Sequence, residues 1–373
     1  MPTAASGFAP SISHMQRLHI DGPLLLALLA ICGFGLTILY SASGQHGPTM
    51  LRQTGFIVAG FIAMLMIAQI NMRFIRRWSI LLYLMGVALL VAVIFYGSGA
   101  KGAVRWIDLP GLPRFQPSEI MKVALPLTVA TYLSGRSMPP SFFQVLVCVV
   151  LIGIPTLLIG AQPDLGTSLL VAVSGLFVLY FAGLSWYYVM AVVVAVGVSS
   201  PLIWTYVLHA YQKQRILTLL DPEADKLGAG WNIIQSKTAI GSGGWQGKGW
   251  MNGTQSQLDF LPESHTDFII AVLAEELGLF GVLVLISLYL VIIGRGVMIG
   301  LRAQDTFSRL VVGSITLTFF VYAFVNMGMV SGLLPVVGVP LPFISQGGTS
   351  IITLLAGFGL LMAVSTEAKR ITR

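Results

Sequence analysis

The chain has 373 residues, of which 56% are hydrophobic and only 9% are charged, whereas about 25% of the residues of an ordinary soluble domain are charged. This composition excludes a soluble enzyme, and because one membrane-spanning helix takes about 20 apolar residues, the chain has enough of them for ten spans. The net charge of +7 lies in short segments between apolar runs, with no basic stretch interleaved with aromatic residues, so it indicates no nucleic-acid partner.

The predicted elements are apolar runs long enough to cross a bilayer. In chain order they lie near residues 23–40, 54–70, 78–96, 118–134, 142–160, 165–182, 186–208, 268–294, 309–333 and 348–365. The first run is longer than the apolar region of a signal peptide and is followed by many more, so we interpret it as a transmembrane helix. The sequence therefore predicts an all-α, polytopic membrane protein with ten transmembrane helices.

The charges between the runs predict how the chain is oriented in the membrane. With ten spans both termini lie on one side, and Lys and Arg concentrate on the cytoplasmic side of membrane proteins. The side of the termini carries eleven Lys and Arg against nine, and five of those nine lie in one 57-residue segment, a length at which the rule weakens. We therefore predict a cytoplasmic tail over 1–20, helices one to seven over 21–208, a large external loop over 209–265, helices eight to ten over 266–366, and a cytoplasmic tail over 367–373.

The segments on the external side are the ones in which we look for function. The first external segment, 97–117, leads into helix four. Glu119 lies in the first turn of this helix, and Lys122 follows three residues later on the same face. An ion pair between them is one interpretation. The other is that Lys122 and Arg105 face a polar cavity and bind a diphosphate, because a cation within the membrane is costly without a partner. The three external segments are 97–117, 209–265 and 334–350.

Two further motifs stand at the starts of helices on this side. Asp164, in the sequence QPDLGT, either caps helix six or belongs to a site. Gly347 and Gly348 follow a proline-rich stretch and precede helix ten, so their backbone N–H groups are candidates to face an anion. A tight turn between two helices explains the two glycines equally well.

Asp267 is the most informative acid of the sequence. It precedes the apolar run 277–294, whose 18 residues span about 27 Å as a helix and nearly fill the hydrocarbon core. We therefore expect Glu275 and Glu276 near the membrane interface and Asp267 two to three turns beyond them, at the depth of a lipid headgroup. The alternative is an acid in the first turn of the helix, capped by Thr266.

No metal site is predicted. The five histidines make no HExxH or i,i+4 pair, and Cys32 and Cys148 lie far apart within apolar runs. No cofactor is certain, although a divalent cation such as Mg or Mn that bridges a diphosphate to Asp267 or Asp164 stays open.

Several segments together resemble the SEDS family of membrane proteins (shape, elongation, division, sporulation), and most closely its rod-shape members from Gram-negative bacteria. Two features depart from the family pattern: Gln346 stands where the family signature usually has Tyr, Ser or Ala, and 101–104 loosens the approach to the Arg-Trp pair. The matching segments are GAVRWIDL, FQPSEIMK, QPDLGTS, LLDPEADKLGAGWNIIQSK, GKGWMNGTQSQLDFLPESHTDF, AEELG and the signature from Asn326 to Ser350.

The resemblance implies a peptidoglycan glycosyltransferase of the cell inner membrane that polymerises lipid II on the periplasmic side during lateral elongation of the cell wall, and so contributes to cell shape. It implies that Asp267 is the catalytic carboxylate, the general base of an inverting transfer, for which one base is enough. The residues expected to bind substrate are Arg105, Glu119, Lys122, Asp164, Gly347 and Gly348, with Arg105 and Lys122 as the natural diphosphate binders.

The resemblance also implies partners: lipid II and the growing undecaprenyl-diphosphate glycan, a class B penicillin-binding protein, and other proteins of the elongation complex. We expect the transpeptidase to dock its helix on helices eight and nine and its external stem on the loop 209–265. Small residues that permit close helix packing suggest this surface. They are Gly278, Gly281, Gly313, Ser314 and Gly328.

Two other functions are compatible with ten helices. A flippase for a lipid-linked precursor needs the same cavity but also access from both faces, and the polar residues cluster on one side. A scaffold that docks a cell-wall synthase explains the helices but leaves Lys122 and Asp267 without a role.

Overall fold

The structure is a computed structural model, and it describes residues 19–371 apart from 101–102, 108–113, 226–227, 259 and 262. The predicted N-terminal tail, 1–20, therefore lies outside the described residues except for its last two positions. The C-terminal tail, 367–373, is described as far as residue 371.

Within the described residues, each of the ten predicted apolar runs is a helix, and shorter helices and a hairpin occupy the external segments. The helices are α1 (Gly22–Ala42), α2 (Gly47–Ala68), α3 (Met72–Tyr96), α4 (Pro117–Ser134), α5 (Phe142–Gly160), α6 (Leu165–Phe181), α7 (Trp186–Leu202), α8 (Ala210–Leu220), α9 (Ala229–Gly243), α10 (Thr254–Gln257), α11 (Ile269–Arg302), α12 (Thr306–Val330) and α13 (Thr349–Ile371). The strands are β1 (Ser98–Ala100) and β2 (Ala103–Trp106).

The membrane architecture confirms the all-α, multi-pass prediction. Eight of the described helices are long and apolar enough to cross a membrane by length and composition. The two predicted spans outside this set are α6, which is apolar but has 17 residues, and α4, which carries Glu119 and Lys122 in its first half. The predicted helices eight and nine are α11 and α12.

The packing places α12 and α13 inside the bundle and α7 at its edge. The most apolar stretch of α13 is 67% buried and that of α12 is 56% buried, whereas that of α7 is 0% buried. The helix α13 packs on α2, α4 packs on α3 and α6, and α12 packs on α11 and α6. Among the eight spans, α13 and α12 are therefore the most shielded from lipid.

An aromatic cluster forms part of the core. Phe319 of α12 lies 5.1 Å from Phe358 of α13, 5.7 Å from Phe343 and 5.5 Å from Tyr289 of α11, measured between ring centroids. These spacings are those of favourable edge-to-face and tilted aromatic pairs. The four rings join three helices and the segment before α13.

The external segments contain more structure than the sequence indicated. The helices α8, α9 and α10 form in the loop 209–265. In the segment 97–117, β1 and β2 pair antiparallel, with Ala100 opposite Ala103. This hairpin positions Arg105, and a bridge between Ile107 and Phe115 leads the chain back to α4.

The start of α11 differs from the prediction. The helix begins at Ile269 and is broken at Gly278, where φ is 64° and ψ is −161°. Glu275 and Glu276, just before the break, are fully buried within the protein, and their depth near the membrane interface stays a prediction. The apolar composition on both sides of Gly278 hid this break, because the run reads as one continuous helix.

Candidate active site

The structure brings all seven predicted site residues to the wall of one cavity, with a volume of about 800 Å³. They come from five separate parts of the chain: the hairpin, α4, the start of α6, the turn before α11 and the turn before α13. Two of these parts, the hairpin and the turn before α13, belong to the predicted external segments 97–117 and 334–350. The seven residues are Arg105, Glu119, Lys122, Asp164, Asp267, Gly347 and Gly348.

Arg105 and Asp164 form an ion pair across the cavity wall. The Nη1 atom of Arg105 lies 3.2 Å from Oδ2 of Asp164, and Nε2 of Gln116 donates to the same oxygen at 2.9 Å. The other carboxylate oxygen accepts from the backbone N–H of Thr167 at 3.2 Å. Asp164 therefore caps α6 and also lies in the site, so the two interpretations of this residue hold together.

Lys122 and Glu119 form a second ion pair, deeper in the bundle. The Nζ atom of Lys122 lies 2.6 Å from Oε1 of Glu119 and also donates to the hydroxyl of Tyr322 on α12. Thr353 of α13 donates to Oε2 of Glu119 at 2.8 Å. Both charged side chains are less than a tenth exposed, so the pair joins α4, α12 and α13 at a place with little water.

Asp267 lies in the turn just before α11. Its backbone carbonyl accepts from Nδ2 of Asn326 at 2.9 Å, and the same amide donates to the carbonyl of Val339 at 2.7 Å. Asn326 is fully buried on α12, so one side chain ties the turn of Asp267 to the segment before α13. At Gly338, where φ is 73°, an added Cβ would lie 3.6 Å from Oδ2 of Asp267, which puts the carboxylate against this glycine.

The alternative in which Thr266 caps a helix that contains Asp267 is wrong. Asp267 precedes the helix, whose N-cap residue is Phe268 and has no side-chain cap. The hydroxyl of Thr266 donates instead to Oε2 of Glu263 at 2.7 Å.

Hydrogen bonds fix the backbone of the segment before α13. The N–H of Gly347 donates to Oε1 of Gln53 on α2 at 3.2 Å, so it is paired in this structure, and its expected role at an anion stays a prediction. Gln53 also donates to the carbonyl of Ser345, whose hydroxyl donates to the carbonyl of Thr266 at 2.5 Å. The segment before α13 is thus fastened both to α2 and to the turn that carries Asp267.

The cavity also contains polar residues that sequence reasoning missed. Tyr211 and Arg215 of α8 line it, and so do Asn232 of α9, Glu263, and Tyr322 of α12. Four of the five belong to the loop 209–265. Charges are common there, and no periodic pattern of polar residues shows which side of the loop faces a cavity. Tyr322 alone carried a signal, a hydroxyl within an apolar run.

The break in α11 is held by the loop 209–265, which the sequence predicts to be external and which we call the external loop. Just after Gly278, the N–H groups of Leu279 and Phe280 donate to the carbonyls of Gly244 and Trp245, at 3.0 and 3.2 Å. These donors would otherwise pair within the helix. The loop thus replaces the hydrogen bonds that the break removes.

Of the two buried glutamates before the break, Glu275 binds the same loop and Glu276 binds α1. Oε1 of Glu275 accepts from Nζ of Lys248 at 2.7 Å and from the N–H and the hydroxyl of Thr254, each at 2.9 Å. Oε1 of Glu276 accepts from the hydroxyl of Ser41 on α1 at 2.5 Å. The short helical segment that follows Asp267 is therefore held at its far end by side chains and backbone together.

The comparison with protein families decides what kind of protein this is. Residues 23–370 match the model of the cell cycle protein family that comprises FtsW, RodA and SpoVE, the SEDS proteins. The chain belongs to the SEDS family. The match includes every cavity residue described above.

Individual SEDS proteins agree with the family match. The chain is 54% identical over 358 residues, 96% of either chain, to the peptidoglycan glycosyltransferase MrdB of Escherichia coli K12. It is 38% identical over 366 residues, 94% of either chain, to the probable peptidoglycan glycosyltransferase FtsW of Trichlorobacter lovleyi.

Solved SEDS structures have the same fold. A chain of a peptidoglycan synthase complex that coordinates polymerization and crosslinking superposes with a TM-score of 0.83 at 29% identity, covering 93% of this chain and 98% of that one. The rod shape determining protein RodA of Thermus thermophilus gives a TM-score of 0.71 at 27% identity, covering 92% and 96%.

The small residues predicted to form a docking face on this SEDS protein are used inside the fold. A Cβ at Gly313 would press on the ring of Phe181, and one at Gly328 on the side chain of Leu334. The Ser314 hydroxyl donates to a carbonyl of α6 at 2.6 Å. Gly278 faces the external loop and Gly281 the side chain one turn before it. The glycine stripe of α11 and α12 is therefore not an open surface.

A divalent cation in this SEDS cavity stays a prediction. Within the described ranges, no three His, Cys, Asp or Glu side chains come together in an arrangement that holds a metal. Asp164, one of the two expected bridging acids, is already bonded to Arg105, Gln116 and Thr167. The described side chains do not fit a metal held by the protein alone.

Proposed function

We propose that this SEDS protein polymerises lipid II into glycan strands in the cavity described above, with Asp267 as the general base. The chain is a peptidoglycan glycosyltransferase, as its relatives are. The observation that carries the proposal is the meeting of Asp267, Arg105 and Lys122 on one cavity of about 800 Å³, although they come from distant parts of the sequence. A base and two cations are what a transfer from a lipid diphosphate requires.

The proposed reaction joins two lipid-linked sugars. Asp267 takes the proton of the acceptor sugar's 4-hydroxyl as its oxygen attacks C1 of the donor sugar. The bond between C1 and the diphosphate oxygen breaks, and the undecaprenyl diphosphate leaves with the electron pair. Attack from the face opposite the leaving group inverts C1, so one carboxylate is sufficient and no covalent intermediate forms.

Arg105 and Lys122 act on the departing diphosphate in this proposal. Their carboxylate partners fix them before the substrate enters, so little reorganisation accompanies the reaction. Arg105 keeps donors beyond those that bind Asp164, and its buried Nε atom has no hydrogen-bond partner. A planar guanidinium with spare donors suits phosphate oxygens.

We assign the cavity to the periplasmic side of the inner membrane. The segments that build it are those that the Lys and Arg distribution predicts to be external. Lipid II polymerised there would supply lateral growth of the cell wall, as the rod-shape branch of the family implies.

A class B penicillin-binding protein is the proposed partner. This SEDS chain has the fold of a chain from a synthase complex that coordinates polymerization with crosslinking. We propose that the partner's helix docks on α11 and α12 and its stem on the loop 209–265. Large apolar side chains, not glycines, form this face: Phe280 on α11 is 64% exposed, and Phe324 on α12 is 57% exposed.

The two other functions explain the cavity less well. A flippase needs a path through the bundle, whereas the second space that Lys122 and Tyr322 line, shared with Phe319 and Phe358, has a volume of only about 30 Å³. A scaffold needs no cavity lined by two ion pairs and a further carboxylate. Purified protein with its partner and labelled lipid II separates the three, because only the polymerase makes glycan.

The first test is Asp267→Asn in that assay. The amide keeps the size of the side chain but takes no proton, so we expect the polymerisation rate to fall by about 10²- to 10⁴-fold with lipid II binding retained. The control is Asp305→Asn at the start of α12, where Asp305 accepts from the N–H of Ser308 and an Asn cap is equally good. A folded Asp267→Asn protein with a near-normal rate would contradict the role of this residue as the base.

A further inference from the structure

The cavity contains a third cation, Arg215. It lies on α8, and Tyr211, four residues earlier and hence one turn away on the same face, lines the cavity beside it. The guanidinium carbon of Arg215 is 5.9 Å from the centre of the Tyr211 ring. Asn232 of α9 lines the same cavity. The external loop therefore contributes its own polar group to the wall.

Arg215 differs from the other two cations in its partners. Arg105 and Lys122 each form an ion pair with a carboxylate, whereas no carboxylate among the described residues lies within ion-pair distance of Arg215. The side chain of Arg215 is only partly exposed, and a guanidinium does not lose its proton in a protein. Its charge is therefore available to an anion that enters the cavity.

Asn232 adds a second unused polar group. Its Oδ1 atom is buried and has no hydrogen-bond partner, which is uncommon for a polar atom inside a protein. Oδ1 itself can only accept, but the same amide carries an NH₂ group, which can donate to an anion in the cavity that Asn232 lines.

The chemistry of the proposed reaction requires a place for a second diphosphate. The donor loses its diphosphate, but the acceptor keeps its own, so two such groups are present while one bond forms. Arg105 and Lys122 are each already held by an acid, and Arg215 is not. Resting on the proposed function, we propose that Arg215 and Asn232 form a second anion subsite, which binds the diphosphate of one of the two lipid-linked sugars.

The test measures lipid binding by the full-length protein in nanodiscs, with its partner present. The variants are Arg215→Ala and Arg215→Gln, and the control is Lys213→Ala, which removes the same charge from the same helix but lies outside the cavity wall. The probes are lipid II and undecaprenyl diphosphate. We expect both Arg215 variants to bind at least one probe about 10- to 100-fold more weakly, as for loss of a hydrogen bond to a charged group, and Lys213→Ala to bind normally.

The two probes identify which diphosphate the subsite holds. Weaker binding of lipid II alone assigns it to the acceptor, weaker binding of undecaprenyl diphosphate alone assigns it to the departing group, and equal losses assign it to a diphosphate from either source. If both folded Arg215 variants bind both probes as well as Lys213→Ala does, the subsite does not exist.

Failure of the subsite is distinguishable from failure of the proposed function. A wild-type protein that binds both probes but makes no glycan would overturn the polymerase and leave the subsite standing. A wild-type protein that makes glycan while the Arg215 variants bind normally would overturn only the subsite. Asn232→Ala provides an independent check, since it should weaken the same probe as Arg215→Gln.

Discussion

The cations Lys122 and Arg105 are held by carboxylates before any substrate is present. Lys122 is fixed by Glu119 and Tyr322, and Arg105 by Asp164. A cation that is already oriented stabilises the negative charge of the transition state more than one that must first move, because no reorganisation is needed. The acids of the cavity therefore act as positioning residues, and their removal should affect both the fold and the reaction.

A double-variant experiment separates these two effects for Lys122. The variant Lys122→Met leaves Glu119 buried without its cation, and we expect a loss of about 3 kcal/mol in the free energy of unfolding. The pair Glu119→Gln with Lys122→Met removes both charges and should recover most of that stability, but not the polymerisation rate. Thermal unfolding and the lipid II assay measure the two. Recovery of activity with stability would mean that Lys122 is a structural residue only.

The pairs in the cavity show how far sequence reasoning reaches at the residue scale. Spacing alone predicted that Glu119 and Lys122 share a helix face, and the ion pair is present. The pair of Arg105 with Asp164 was not predictable, because it joins a hairpin to a helix start 59 positions later and only the fold brings them together. Arg215 was counted as one more charge of a polar loop for the same reason.

The break at Gly278 gives α11 two functions within one helix. Beyond the break the helix crosses the membrane, and before it a short helical segment leads to Asp267. The external loop donates and accepts the hydrogen bonds that the break leaves open. The hydrophobic run predicted the spanning part correctly, but glycine is common in membrane helices, so its presence did not reveal the break.

Gly278→Ala tests whether this break matters. An alanine there must adopt φ near 64°, which favours glycine, and its Cβ would overlap the backbone of Gly247. We expect lower thermal stability and a strongly reduced polymerisation rate. Gly294→Ala in the same helix is the matched control, since a Cβ there meets nothing within 4 Å. Equal behaviour of the two variants would show that the break does not position Asp267.

At the scale of the whole molecule, the ten helices followed from composition and run length, because a bilayer demands about 20 apolar residues per span. The docking face could not be predicted in the same way, because small residues indicate close packing but do not identify the neighbour that is close. Gly313 packs against Phe181 of the same chain. The side of α11 and α12 open to a partner consists of large apolar side chains.

A site-specific photo-crosslinker locates the partner on that side. Placed at Phe280 of α11 or Phe324 of α12, it should capture the class B penicillin-binding protein in cells, because both side chains project from the bundle. The control position is Leu84 of α3, which is 56% exposed. Capture from Leu84 but from neither phenylalanine would place the transpeptidase on the opposite face and contradict the docking proposal.

The aromatic cluster beneath Lys122 has an electrical consequence. A polar cavity of about 800 Å³ within a membrane admits water, and each charge that crosses an energised bilayer moves through about 2.3 kcal/mol per 100 mV. Phe319 and Phe358 do not line this cavity, and together with Lys122 they line a separate space of about 30 Å³. With the cavity open to the periplasm, as we propose, these rings would separate it from the cytoplasm, so that the cell could keep a large wet cavity open in this membrane without dissipating its ion gradients.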